Sequence, residues 1–202
     1  MNLRAVLPVL AAGLLFAACR SVGPGDPIKP FVATSPEDAL AQLHVRAAAF
    51  TGARSLLRVR STLGEKTQNF RAQLVVPNRG EMELIAYTPV GTTAVTIKAT
   101  GDQVSFKNHL EGVTVKGSAE EFARSFAFYA AELEPAEMGM LLLGLPPRRD
   151  LAYEATAKGI ARATVGDVIV TFDPPEFPPS RVTITRGSDI VEIEHLETVA
   201  MQ

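Results

Sequence analysis

A long series of short segments in this chain alternates apolar and polar residues with a period of two, and turn residues separate them at close intervals. In Gln68–Val76 the side chains of Phe70, Ala72, Leu74 and Val76 fall on one side, and those of Asn69, Arg71 and Gln73 on the other. Segments 54–62, 81–87, 93–99, 102–108, 112–117, 151–157, 160–165, 167–173, 181–187 and 189–197 follow the same rule, with breaks such as Asn78-Arg79-Gly80 and Gly101-Asp102 between them. The connections are too short for crossover helices, so neighbouring strands must run antiparallel. About ten or eleven such strands make a single sheet with one apolar face. A sheet of that width must curl or be covered to hide that face.

Two stretches break the period of two. Ser35 is a good N-cap, Pro36 suits a first helical position, and Glu37 and Asp38 complement the dipole of a helix whose Leu40, Leu43 and Ala47 share a face. In mid-chain, Ser118 and Glu121 form a capping box before a stripe of Phe122, Phe126, Tyr129 or Ala130, and Leu133. Pro135 then opens a second helix rich in Met138, Leu141, Leu142 and Leu145, which Gly144 and Pro146-Pro147 stop. The fold class is therefore mainly β (α+β): a single curved antiparallel sheet forming a half-open barrel, with an N-terminal helix and a helical lid. The interior is either a solid core or a hollow. The chain has no Trp and only three Tyr, so Val, Leu, Ala and Met must supply the volume, and these line an adaptable pocket as readily as they fill a core.

The N-terminus bounds the compartment. Arg4 precedes an apolar run from Ala5 to Phe16 that is short for a membrane span, and Ala17-Ala18 stand directly before Cys19, the single cysteine of the chain. A lone thiol cannot staple an exported domain, but it can carry a lipid. Small residues before a cysteine resemble the lipobox of bacterial lipoproteins, in which the cysteine is acylated and becomes the first residue. That resemblance also implies an address: Arg20, in place of an aspartate, favours the periplasmic face of the outer membrane. The expected division is 1–18 signal peptide, 19–34 lipidated cysteine and flexible tether, and 35–202 one folded domain. The tether reading rests on Arg20–Pro30, rich in Gly and Pro.

The chain offers little to catalysis or to nucleic acid. Net charge is −2, with no basic block, which argues against a nucleic-acid partner. There is no nucleophile elbow, no paired metal-type histidines and no CxxC. His44, His109 and His195 are scattered and read as surface histidines, while Glu120-Glu121 open a helix and Glu192 and Glu194 occupy an outward strand face. No enzyme activity, cofactor or metal is expected, and the domain should be a monomer.

The stretch Tyr87–Thr93, "YTPVGTT", joins two strands and carries an aliphatic side chain at a turn. Proline suits position i+1 and glycine i+3, leaving Val90 at i+2, either pointing out or folded back onto the barrel. This turn, with "GEMELIAYTPVGTTAVTIKATGDQVSFKN", "SAEEFARSF" and "MGMLLLGLPP" in order behind a lipobox-like cysteine, resembles the LolB-type outer-membrane lipoprotein receptors. These share a lidded half-barrel with the periplasmic carrier LolA. The resemblance implies that Val90, flanked by Pro89 and Gly91, is a membrane-insertion tip, and that Cys19 is the lipidation site. It also implies a receptor that accepts acylated lipoproteins from a LolA-like periplasmic carrier and inserts them into the outer membrane. Acyl chains of lipoproteins or lipid would then lie in a cavity with Phe70, Leu74, Met82, Leu84, Phe122, Phe126, Met138, Leu141, Leu142 and Leu145 as candidate lining. The other reading is a different lipid-binding or structural envelope lipoprotein of the same fold.

Overall fold

A computed structural model describes residues 28–123 and 132–201; Cys19 and Phe126 lie outside them. Helix α1 (Pro36–Ala48) precedes β1 (Ala53–Leu63), β2 (Lys66–Asn78), β3 (Glu81–Tyr87), β4 (Thr93–Thr100), β5 (Gln103–Asn108) and β6 (Val113–Ser118). Then come α2 (Ala119–Ala123), α3 (Pro135–Leu142), β7 (Ala152–Thr156), β8 (Gly159–Val165), β9 (Val168–Phe172), β10 (Arg181–Arg186) and β11 (Asp189–Ala200). All eleven strands belong to one sheet, in the order β6-β5-β4-β3-β2-β1-β11-β10-β9-β8-β7, and every pairing is antiparallel. Two meanders thus meet where β11 returns to pair with β1. The sheet is open, with β6 and β7 at its edges, and the helical segment runs in sequence from one edge to the other.

Alternation sorts the two faces. In β1 the inward residues Ala53, Ser55, Leu57 and Val59 are buried, whereas Leu56, Arg58 and Arg60 between them are exposed. Three helices cover the inward face at different places: α1 contacts β7 and β8, α3 contacts β2, β3 and β4, and the short α2 contacts β5 and β6.

Helix α1 starts as its sequence dictates, with Ser35 Oγ accepting from the Asp38 N–H at 3.2 Å. Its buried stripe is Ala39, Leu43 and Ala47, four residues apart, and Leu40 is only half-buried at the stripe's margin. Arg46 on this helix reaches back to the preceding chain. Its guanidinium lies 5.4 Å from the Phe31 ring and 5.2 Å from that of Phe177, and donates to the carbonyls of Lys29 (2.6 Å) and Pro30 (3.4 Å). Ile28 and Phe31 pack against the main core. The segment that composition assigns to a tether is therefore held on the domain from Ile28 onward.

Helix α2 carries the expected capping box, with Ser118 N–H donating to Glu121 Oε2 at 2.9 Å and Glu121 N–H donating to Ser118 Oγ at 3.3 Å. In α3, Pro135, Ala136, Met138, Gly139, Met140, Leu141 and Leu142 are all buried, as a helix apolar on every side must be. Its half-buried exception, Glu137, accepts two bonds from Arg148, both at 2.8 Å, and a third at 2.9 Å from the Glu134 N–H at the helix start. The C-terminus is closed by a Schellman motif. Gly144, at φ +80°, donates to the Leu141 carbonyl at 2.8 Å, and the Leu145 N–H donates to that of Met140 at 3.0 Å.

Gly139 sets how deep α3 sits. A Cβ there would stand 2.8 Å from Val76 Cγ2 and 3.2 Å from Met82 Cγ and Sδ, so only glycine lets this turn rest on β2 and β3. Gly139→Val should lift α3 from the sheet and lower the stability by about 1–3 kcal/mol, less the small gain in helix propensity. A urea midpoint unchanged from the parent's would show that α3 is not seated by this contact.

Candidate functional site

The loop between β3 and β4 is short and braced. The Gly91 N–H donates to the Thr88 carbonyl at 2.9 Å, which closes the turn over Pro89 and Val90, and the Thr88 N–H donates to the Thr92 carbonyl at 2.8 Å. The hydroxyls of Thr88 and Thr92 are 2.8 Å apart, Thr88 Oγ1 accepts from the Thr92 N–H at 3.2 Å, and Gly91 has φ +87°. With the backbone so fixed, Val90 projects outward at 85% exposure.

Behind this loop, register partners on the inward face form three rows across β3, β4, β5 and β6. The row farthest from the loop is Met82, Ala99, Val104 and Gly117, whose three side chains are buried. Next come Leu84, Ile97, Phe106 and Val115, where Leu84 and Phe106 are half-buried and Val115 is 49% exposed. Nearest the loop lie Ala86, Val95, Asn108 and Val113, the first three half-buried and the last 45% exposed. The result is an apolar trough that is covered at its far end, near α3, and opens toward the loop that carries Val90.

The candidate lining residues divide along this gradient. Leu74, Met82, Met138, Leu141, Leu142 and Leu145 are buried together in the main core. Gly139 lets α3 rest directly on Val76 of β2 and Met82 of β3 beside them. Phe70 and Leu84 are half-buried at the margin of that core, and Phe122 of α2 packs beside Leu84, Val95 and Phe106 against Ile97, Ala99 and Val104. Leu84 and Phe122 remain where a chain in the trough would lie, while Phe70, one strand over on β2, lines the depression below the loop. Directly below the loop lies an open depression of about 590 Å³, lined by the apolar Leu56 and Phe70 as well as by Arg58, Asn69, Arg71, Tyr87 and the loop itself.

His195 corrects the surface reading of the histidines. His109 is exposed, its Nε2 2.9 Å from Thr96 Oγ1, and half-buried His44 stacks edge-on against Tyr153 at 5.9 Å. His195 instead points inward: Nδ1 lies 2.8 Å from Ser55 Oγ, and Nε2 is shut off from solvent without a full hydrogen bond. Ser55 Oγ also donates to the Glu197 carbonyl at 3.0 Å and sits 2.8 Å from Thr198 Oγ1. The signal was present in the sequence, since His195 shares the parity of the buried Val191 and Ile193. The pair is no hydrolytic dyad, because Ser55 has no exposed surface through which a substrate could approach. Among the described residues no cluster of His, Cys, Asp or Glu could hold a metal ion. Glu192 and Glu194 face outward as expected, paired with Arg60 (3.6 Å) and Arg58 (2.5 Å).

Comparison with solved structures bears on this arrangement. A domain from Vibrio parahaemolyticus named for outer membrane lipoprotein sorting superposes over 82% of this chain and 93% of its own, with a TM-score of 0.55 at 9% identity. The two share a fold. A LolA superfamily protein of Nitrosomonas europaea also matches, over 81% of this chain and 94% of its own, with a TM-score of 0.46 at 7% identity. No family model and no curated protein matches the sequence. The chain thus shares its fold with that domain, and no described helix is long and apolar enough to cross a membrane.

Burial drives the His195 imidazole down to about 4, opposed in part by the nearby Leu142 carbonyl. The folded domain therefore declines a proton that the unfolded chain, with its ordinary histidine near 6.5, accepts. Stability should fall as pH drops from about 6.5 toward 4, by up to about 3 kcal/mol from this group, and be independent of it above that window. His195→Asn should flatten that slope in urea unfolding measured across the window; an identical slope would assign it to other groups.

Proposed function

We propose that this chain is an outer-membrane-anchored lipoprotein receptor, which takes acylated lipoproteins from a LolA-like periplasmic carrier and passes them into the membrane. The observation that carries the reading is the trough that opens toward the loop on which Val90 stands exposed. Each methylene held in water costs about 0.8 kcal/mol, so a multiply acylated protein in transit needs cover worth tens of kcal/mol. A receptor that covered the chains as completely as a bilayer does would not release them. A trough shielded at one end and open at the other meets both demands: chains slide in along Leu84 and Phe122 and leave where Val90 meets lipid. Cys19 would carry the anchor, holding the domain at the periplasmic face. No bond is made or broken in this cycle.

The packed state of α3 favours a second reading, an envelope lipoprotein that binds a partner protein and no lipid. Mild extraction separates the two, since a domain with a working trough should carry lipid with it and a filled one should carry none.

Val90→Glu should shift unfolding by no more than about 0.5 kcal/mol, because an exposed turn tolerates a charge. Delivery of acylated cargo to liposomes should fall at least about tenfold, because a carboxylate resists entry into the bilayer. Delivery equal to the parent's would remove Val90 from the mechanism. Cys19→Ala should move the protein from the membrane to the soluble fraction on cell fractionation. Continued membrane association would mean that another element anchors it.

A further inference from the structure

The convex face below the loop carries charge that acyl transfer leaves unused. Arg181, Glu194, Arg58, Arg71, Tyr87 and Thr93 are successive register partners across β10, β11, β1, β2, β3 and β4. Three guanidiniums in this row face one carboxylate. Glu194 is engaged by Arg58 at 2.5 Å, and the neighbouring Glu192 is held by Arg60 at 3.6 Å. Arg71 stands directly opposite Arg58, a like-charge pairing that is unfavourable on one sheet face unless an anion lies between. On its other side stands Tyr87, whose hydroxyl is committed to Gln73 Oε1 at 3.0 Å. Exposed Arg71 has no acidic partner among the described residues. The depression of about 590 Å³ gathers Arg58, Arg71, Asn69 and Tyr87, with the apolar Leu56 and Phe70, beneath Pro89 and Gly91, so its wall is the loop that bears Val90.

We propose that this depression binds the phosphate of an anionic phospholipid headgroup, engaged as Val90 enters the bilayer. The proposal rests on the reading of Val90 as the membrane-touching tip. A guanidinium fork matches phosphate oxygens in bidentate geometry, and of the two arginines that line the depression Arg71 is the one not committed to a carboxylate. Position favours a lipid over free phosphate, because a valine dipping into the acyl region brings the adjoining hollow to headgroup depth. Charge agrees: a chain of net charge −2 is repelled overall by an anionic surface, and a local excess of arginines beside the tip orients it loop-first.

Hydrogen exchange in the 85–95 segment tests this on the full chain reconstituted in vesicles of phosphatidylcholine, with or without about one third phosphatidylglycerol. The anionic vesicles should slow exchange severalfold for the parent and for Arg60→Gln, whose side chain does not line the depression, and should lose that effect in Arg71→Gln. Equal exchange in the two vesicle types for the parent, or a full difference retained by Arg71→Gln, would overturn the proposal. Dihexanoyl phosphatidylglycerol should shift the Arg71 Nε–H resonance saturably in both the parent and Val90→Glu. The same shift from inorganic phosphate at equal concentration would assign the hollow to free phosphate and overturn the lipid source. Because neither readout uses cargo, loss of the delivery function would leave these results standing, and failure here would leave delivery to be judged by Val90→Glu alone.

Discussion

The architecture depends on hiding the inward face of an open sheet, and α3 does most of that hiding where the sheet is deepest. Burying a Leu- or Met-sized side chain stabilises by about 1.5–3 kcal/mol, and α3 with the chain after it brings Met138, Met140, Leu141, Leu142, Leu143 and Leu145 into one cluster with β2 and β3. A closed barrel would have removed the edges. This sheet keeps β6 and β7 unpaired with each other and closes its interior with helices, so the covered area is set by where the helices lie. α3 sits on β2 to β4, and on the inward face exposure rises toward β6 and the β3–β4 loop, where Val115 and Val113 are 49% and 45% exposed.

Most of this was legible in the sequence, for physical reasons that also mark where legibility ended. Period-two alternation is a local property, and it located the strands because each lies half in water. The Ser35 cap, the Ser118–Glu121 box and the Gly144 stop are likewise local and appear as read. What alternation cannot supply is the distance between layers. Whether Leu141 and Leu142 line a hollow or fill it depends on the absence of a side chain at Gly139, which the sequence shows only as one glycine in a helix. The same holds at the start of the domain: Pro30 and Phe31 look like linker in the sequence until Arg46 and Phe177 are placed against them.

His195 and Arg71 were legible in principle. His195 has the parity of the buried β11 residues, yet a histidine near three glutamates invites an exposed reading; the bulge beside Leu56 and Leu57 pairs it with inward Leu57 and brings Ser55 to its Nδ1. Arg71 is an ordinary outward arginine until register sets it opposite Arg58, with no carboxylate to answer it. Register between strands far apart in sequence, here β10 through β3, is what a single sequence leaves open.

The β3–β4 loop is where these features meet. Its backbone is stiffened by the Thr88 and Thr92 bonds, so little conformational freedom remains to be lost on contact with a partner surface. One side of the same hairpin gives onto the apolar trough and the other onto the basic hollow, a consequence of alternation: Ala86 and Tyr87 are adjacent in sequence but lie on opposite faces. A single rigid turn can therefore present an apolar tip, an apolar path and a cationic footing at one level. That geometry would suit the proposed encounter with a bilayer in one orientation, since a lone valine would contribute only a few kcal/mol of insertion while the guanidiniums would stay with the headgroups.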